Sequence, residues 1–126
     1  MKKLNFMILG ISIGFLFACD KNNTAEINIM EPMMNDTIAL NDSLHLEADI
    51  LGSDKLFGYS VSLTQTNTQT QLFSASTEKR RKDYVFHSHW INNVQDTANL
   101  EIKITVNLSR SGKTVTKTMQ CVALPN

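Results

Sequence analysis

After residue 25 the chain is governed by period-two alternation of apolar and polar positions, the pattern of strands that bury one face. The clearest run is Ala98 to Leu108. Leu100, Ile102, Ile104, Val106 and Leu108 share one face, and Asn99, Glu101, Lys103, Thr105 and Asn107 the other. Ser109-Arg110-Ser111-Gly112-Lys113 then reads as a hairpin turn with Gly supplying a positive φ. A Thr-rich strand follows from Thr114 to Leu124, with Val115, Met119, Cys121 and Ala123 on one side. Upstream, Ser43 to Leu51 turns Leu44, Leu46, Ala48 and Ile50 inward. Phe57, Tyr59, Val61 and Leu63 form a third apolar face, and Tyr84, Phe86, Ser88 and Trp90 a fourth. Shorter candidates are Glu26 to Met30, Thr37 to Leu40 and Gln71 to Ala75. Turn signals lie at Pro32 to Asp36, Gly52-Ser53-Asp54-Lys55 and Asn92 to Thr97.

About seven short strands at this spacing predict an all-β fold, an antiparallel Ig-like or fibronectin-III-like β-sandwich. The expected pairing puts the first strand, Ser43–Leu51 and Asp83–Trp90 in one sheet. Phe57–Gln65, Ala98–Leu108 and Thr114–Leu124 fall in the other. The missing Cys pair and central-strand Trp argue against an antibody-type domain.

The first residues follow another rule. Lys2 and Lys3 precede an apolar run from Leu4 to Phe17, which is shorter than the ~20 residues a membrane-spanning helix needs. The run ends in Leu16-Phe17-Ala18-Cys19. This is the layout of a secretion signal cut before a cysteine, and it resembles the lipobox of the bacterial lipoprotein family. The resemblance implies a signal peptide over 1–18 and a mature chain that begins with an acylated Cys19. The polar segment Asp20 to Ala25 would be a tether, and 26–126 the sandwich. The several acyl chains of such an anchor, palmitate among them, hold a protein on a membrane without crossing it. Lipobox, tether, Pro-bearing first segment and final Gly hairpin together resemble small Ig-like lipoproteins of the Bacteroidota. Surface-exported members of that phylum carry acidic residues soon after the cysteine. Asp20-Lys21-Asn22-Asn23 balances one acid with one base, so periplasmic display on the outer membrane is expected ahead of the cell surface or the inner membrane.

Removal of the signal leaves ten basic residues against twelve acidic, which gives no global basic footprint for nucleic acid. With Cys19 lipidated, Cys121 has no intrachain partner and a disulfide framework is excluded. Phosphate loops, nucleophile elbows, paired catalytic carboxylates and zinc-protease helices are not found in the sequence. A non-catalytic binding or accessory module of the cell envelope is therefore expected, with an envelope protein or a glycan as partner.

Three histidines supply the candidate chemistry. His87 and His89 project from one strand face at i and i+2, opposite Phe86 and Trp90, and His45 points outward beside Glu47. If the two strands pair antiparallel, His45 comes near His89, and His45, His87, His89 and Glu47 form a donor set suited to Zn²⁺ or Cu²⁺. A metal-binding envelope lipoprotein is thus the alternative function. The competing reading is solvent-facing histidines with no ligand.

Glu78-Lys79-Arg80-Arg81-Lys82-Asp83 is the one charge cluster. It reads either as a contact for anionic headgroups or an acidic partner, or as a solvated loop. Cys121, Tyr59 and Trp90 are expected in the core, and Thr64 to Gln71 at a polar edge or loop. Asp36-Thr37-Ile38, Asp42-Ser43-Leu44 and Asp96-Thr97-Ala98 match the motif that the Bacteroidota O-glycosylate. Thr37, Ser43 and Thr97 are thus candidate acceptors, with ordinary Asp-Ser/Thr turn chemistry as the other reading.

Overall fold

An alternating segment stays in solution only until a second one covers its apolar face, and the computed structural model shows how this chain achieves that. It describes residues 22–125; the segment expected to be a signal peptide, 1–18, and Cys19 lie outside the described residues. Eight strands follow in order: β1 (Ala25–Glu31), β2 (Thr37–Ile38), β3 (Ser43–Leu56), β4 (Tyr59–Gln65), β5 (Thr70–Thr77), β6 (Arg81–Ile91), β7 (Ala98–Asn107) and β8 (Thr114–Ala123). One sheet has the order β1-β3-β6 and the other β2-β8-β7-β4-β5. All pairings are antiparallel except the short β2–β8 contact. The fold is an Ig-like, fibronectin-III-like β-sandwich, with the strands divided between sheets as the alternation predicts.

The core lies between the inner faces. Leu46, Ile50 and Leu56 of β3 meet Val61 and Leu63 of β4 and the Leu100, Ile102, Ile104, Val106 row of β7, none more than 1% exposed. Burying a side chain of this size contributes about 1.5–3 kcal/mol, so β7, buried along a full face, is the strand the core can least spare. Aromatic edges join the two sheets. The Tyr59 ring of β4 stands 4.9 Å from Tyr84 and 6.0 Å from Phe86 of β6, both edge-on. The described residues thus enclose a two-sheet core between them.

Two boundaries differ from the sequence expectation. Gly52-Ser53-Asp54-Lys55 is not a turn, because β3 runs on to Leu56. Local turn chemistry loses there to pairing with the entering chain. Ser53 N–H donates to Thr24 O, and Thr24 N–H donates to Ser53 Oγ. Asn23 completes the clasp, donating from Nδ2 to Lys55 O and Leu108 O and accepting from Ser53 Oγ and Asp54 N–H. The reversal falls instead at Phe57-Gly58, where Gly58 has φ +106°. Correspondingly, Asn23 to Ala25, read as part of the tether, belong to the domain, and Ala25 already pairs with Gly52.

Candidate functional site

β3 and β6 turn their polar alternates to the outside, and their register decides what stands beside what. Leu44, Leu46, Ala48 and Ile50 must face the core, as must Tyr84 and Phe86. A slip of one residue would expose both sets, and the register that avoids this places His45 opposite His89 and Glu47 opposite His87. The His45 and His87 rings stack across the strands with centroids 6.3 Å apart and planes 22° from parallel. All three imidazoles are exposed, and Glu47 is half-buried. The structure therefore brings His45, His87, His89 and Glu47 to one outer face, with Asp49 and Val85 paired next along the ladder. In the rotamers present, no three His, Cys, Asp or Glu side chains among the described residues are arranged to hold one ion.

One end of the sandwich collects the Asp-Ser/Thr motifs. Thr37 in β2, Ser43 at the start of β3 and Thr97 before β7 are all exposed, and the connections that hold them lie at the end remote from Asn23. Asp36 also has a structural task there, its Oδ2 accepting from Met33 N–H at 2.8 Å. Beside these motifs an open cleft of about 380 Å³ is lined by Met30, Met33, Asp36, Ser43 and His45. Met33 and Met34 stand 70% and 60% exposed next to it, apolar surface with no role in the core.

The remaining candidates divide between core and surface. Cys121 is buried and free, and burial, with the nearby Asp36 charge, pushes its thiol up to about 11, so at neutral pH it is an unreactive core thiol. Burial, and secondarily Tyr84, also raises the Tyr59 hydroxyl. Tyr59 and Trp90 are partly buried and pack against the core, as the alternation predicts. In the cationic run, the Arg80 guanidinium lies 5.1 Å over the Phe57 ring. Tyr84 Oη donates to Lys79 O and accepts from Gly58 N–H, pinning the β5–β6 and β3–β4 connections together.

Sequence reasoning missed Asn92, which is wholly buried. Its Nδ2 donates to Ile38 O and Leu124 O, and its Oδ1 accepts from Val94 N–H. It stands within a turn signal, where an Asn is unremarked, and only the tertiary closure of three segments around it gives it this part.

No family model matches the chain, and no curated protein matches it. Among solved structures, it is similar to fibronectin(III)-like modules of CbhA from Clostridium thermocellum, at 14% identity over 80% of this chain and 98% of that one, with a TM-score of 0.49. It is also similar to the CARDB domain of a Pyrococcus furiosus protein in complex with di-metal ions, at 16% identity over 82% and 94% of the two chains, with a TM-score of 0.44. No helix among the described residues is long and apolar enough to cross a membrane.

Proposed function

We propose that this protein is a lipid-anchored, extracytoplasmic Ig-like module of the bacterial envelope that acts by binding and not by catalysis. The observation that carries the reading is the junction Leu16-Phe17-Ala18-Cys19 set four residues ahead of Asn23, the first side chain clasped by the sandwich. Acylation at Cys19 would hold the domain on the outer membrane facing the periplasm. The end remote from Asn23 would then meet the envelope protein or glycan, through the cleft beside Met33. Thr37, Ser43 and Thr97 would carry O-glycans at that same end. The test is metabolic labelling with a palmitate analogue in a host that matures lipoproteins. The native chain should take up label and fractionate with membranes, and Cys19→Ala should lose the label. Equal labelling of the two would end the lipoprotein reading.

The pairing of His45 with His89 and of Glu47 with His87 favours a second reading, a surface site for Zn²⁺ or Cu²⁺. Exposed imidazoles on neighbouring strands can approach one another by rotamer changes, and three of them, with water in the remaining position, are a sufficient donor set for either ion. Calorimetric titration with both ions should give one stoichiometric site of submicromolar affinity, lost in the double variant His87→Ala/His89→Ala. Weak binding that is equal in both proteins would remove this reading.

A further inference from the structure

The antiparallel connections alternate between the two ends of the sandwich. Those joining β3 to β4, β5 to β6 and β7 to β8 therefore gather at one end, together with the entering chain. The register fixes this: Ala25 pairs with Gly52, Leu56 with Arg81, Tyr59 with both Thr77 and Val106, and Asn107 with Thr114. Hydrogen bonds from Asn23 to Lys55 O and Leu108 O tie the entry point to the end of β3 and to the β7–β8 connection directly.

Charge follows the same division. At the entry end stand Lys55 of β3, Lys79 and Arg80 before β6, Arg81 and Lys82 at its start, and Arg110 and Lys113 in the last hairpin, all exposed. Among the described residues, the acids there are Asp54, Glu78 and Asp83, with Glu26 one position along β1. Residues 22–125 contain two further basic side chains, Lys103 and Lys117, which lie along β7 and β8. Among the described residues, the remote end carries Glu31, Asp36, Asp42 and Asp96 and no Lys or Arg. The described domain is thus strongly dipolar along its strands. Sequence alone shows a single basic run bracketed by acids; the fold adds Lys55, Arg110 and Lys113 to it.

We infer that this basic end is a docking surface for the anionic headgroups of the membrane that holds the anchor, so that lipid and domain bind the bilayer together. The inference rests on acylation at Cys19. Three residues separate Cys19 from Asn23, and the four Cα-to-Cα steps between them span at most ~14 Å when fully extended. That distance is comparable to the screening length of ~8–10 Å in physiological salt, so an acylated Cys19 forces the basic end into the range of the headgroup phosphates. Clustered cations at an anionic leaflet strengthen attachment, and a basic patch beside an acyl chain is a recognised two-signal anchor. Phe57, half-buried under Arg80, adds an aromatic ring at the same level. Docked this way, the domain stands with its acidic end and cleft turned away from the bilayer.

The test uses the unlipidated chain 20–126, which contains every described strand, with its fold checked by circular dichroism, so the surface is read apart from the anchor. Co-sedimentation with phosphatidylcholine vesicles is compared with and without phosphatidylglycerol. Binding should depend on phosphatidylglycerol and fall as salt rises. Lys79→Gln/Arg80→Gln/Arg81→Gln/Lys82→Gln should weaken it by at least about tenfold, as removal of four near-surface cations requires. Arg110→Gln/Lys113→Gln, which leaves the Arg80–Phe57 stack alone, should weaken it less, and Lys103→Gln/Lys117→Gln should not. Binding indifferent to phosphatidylglycerol or to the first two variants would overturn the proposal. So would duplex DNA held as tightly as the anionic vesicles, which would mark a general polyanion surface. Vesicle binding that persists while Cys19→Ala leaves acyl labelling unchanged would separate failure of the anchor from failure of the surface.

Discussion

Asn92→Leu should destabilise the domain by roughly 3–5 kcal/mol, because each buried polar group stripped of its partner costs about 1–3 kcal/mol. The Asn92 side chain satisfies three backbone groups from separate parts of the chain: Ile38 O on β2, Leu124 O after β8 and Val94 N–H in the β6–β7 connection. Its own backbone adds two more ties, donating to Asp42 O and accepting from Asn41 N–H. The residue is 0% exposed, so water does not replace the lost amide. Chemical denaturation is the measurement. The midpoint should fall by a large fraction of total stability, while Asn93→Leu at the exposed neighbour should stay within about 0.5 kcal/mol of the native protein. A comparably small loss at Asn92 would mean that the remote end rearranges to bring in solvent.

A second large effect is expected at Gly58. Its φ of +106° disfavours any side chain, and a Cβ there would lie 2.2 Å from Thr77 O and 3.0 Å from Glu78 Cα. These are backbone atoms of the neighbouring connection and cannot rotate aside. Gly58→Ala should therefore cost about 2–4 kcal/mol, from conformational strain plus overpacking. Gly112 provides the control. It has φ +90°, and a Cβ there would meet nothing within 4 Å, so Gly112→Ala carries the conformational cost alone, about 1 kcal/mol. Thermal denaturation of the two variants should rank them in that order. Equal effects would mean that the Thr77–Glu78 backbone yields more readily than the Tyr84 bond to the adjoining Lys79 O suggests.

The division of strands between sheets was legible because it depends on one local signal, the face on which apolar residues recur. That signal also fixes register wherever both partners have a buried face, which is why His45 and His89 stand opposite one another as expected from antiparallel pairing. Gly52 to Lys55 was misread because turn-forming composition is only a local preference. The entering strand supplies pairing partners that override it. Asn92 and the basic end were hidden for a related reason. The groups that satisfy Asn92 come from residues 38, 94 and 124, and the cations of the basic end come from positions 55 to 113. Both are properties of closure, and no window along the chain contains them.

The clasp at Asn23 and the position of Leu124 and Pro125 put entry and exit at opposite ends of the sandwich. Were Cys19 acylated as proposed, tension between that lipid and anything gripping the remote loops would run along the strand axes. Antiparallel ladder bonds lie perpendicular to that line. Such a pull would load the six β1–β3 residue pairs in shear, sharing the force among them instead of opening them one after another.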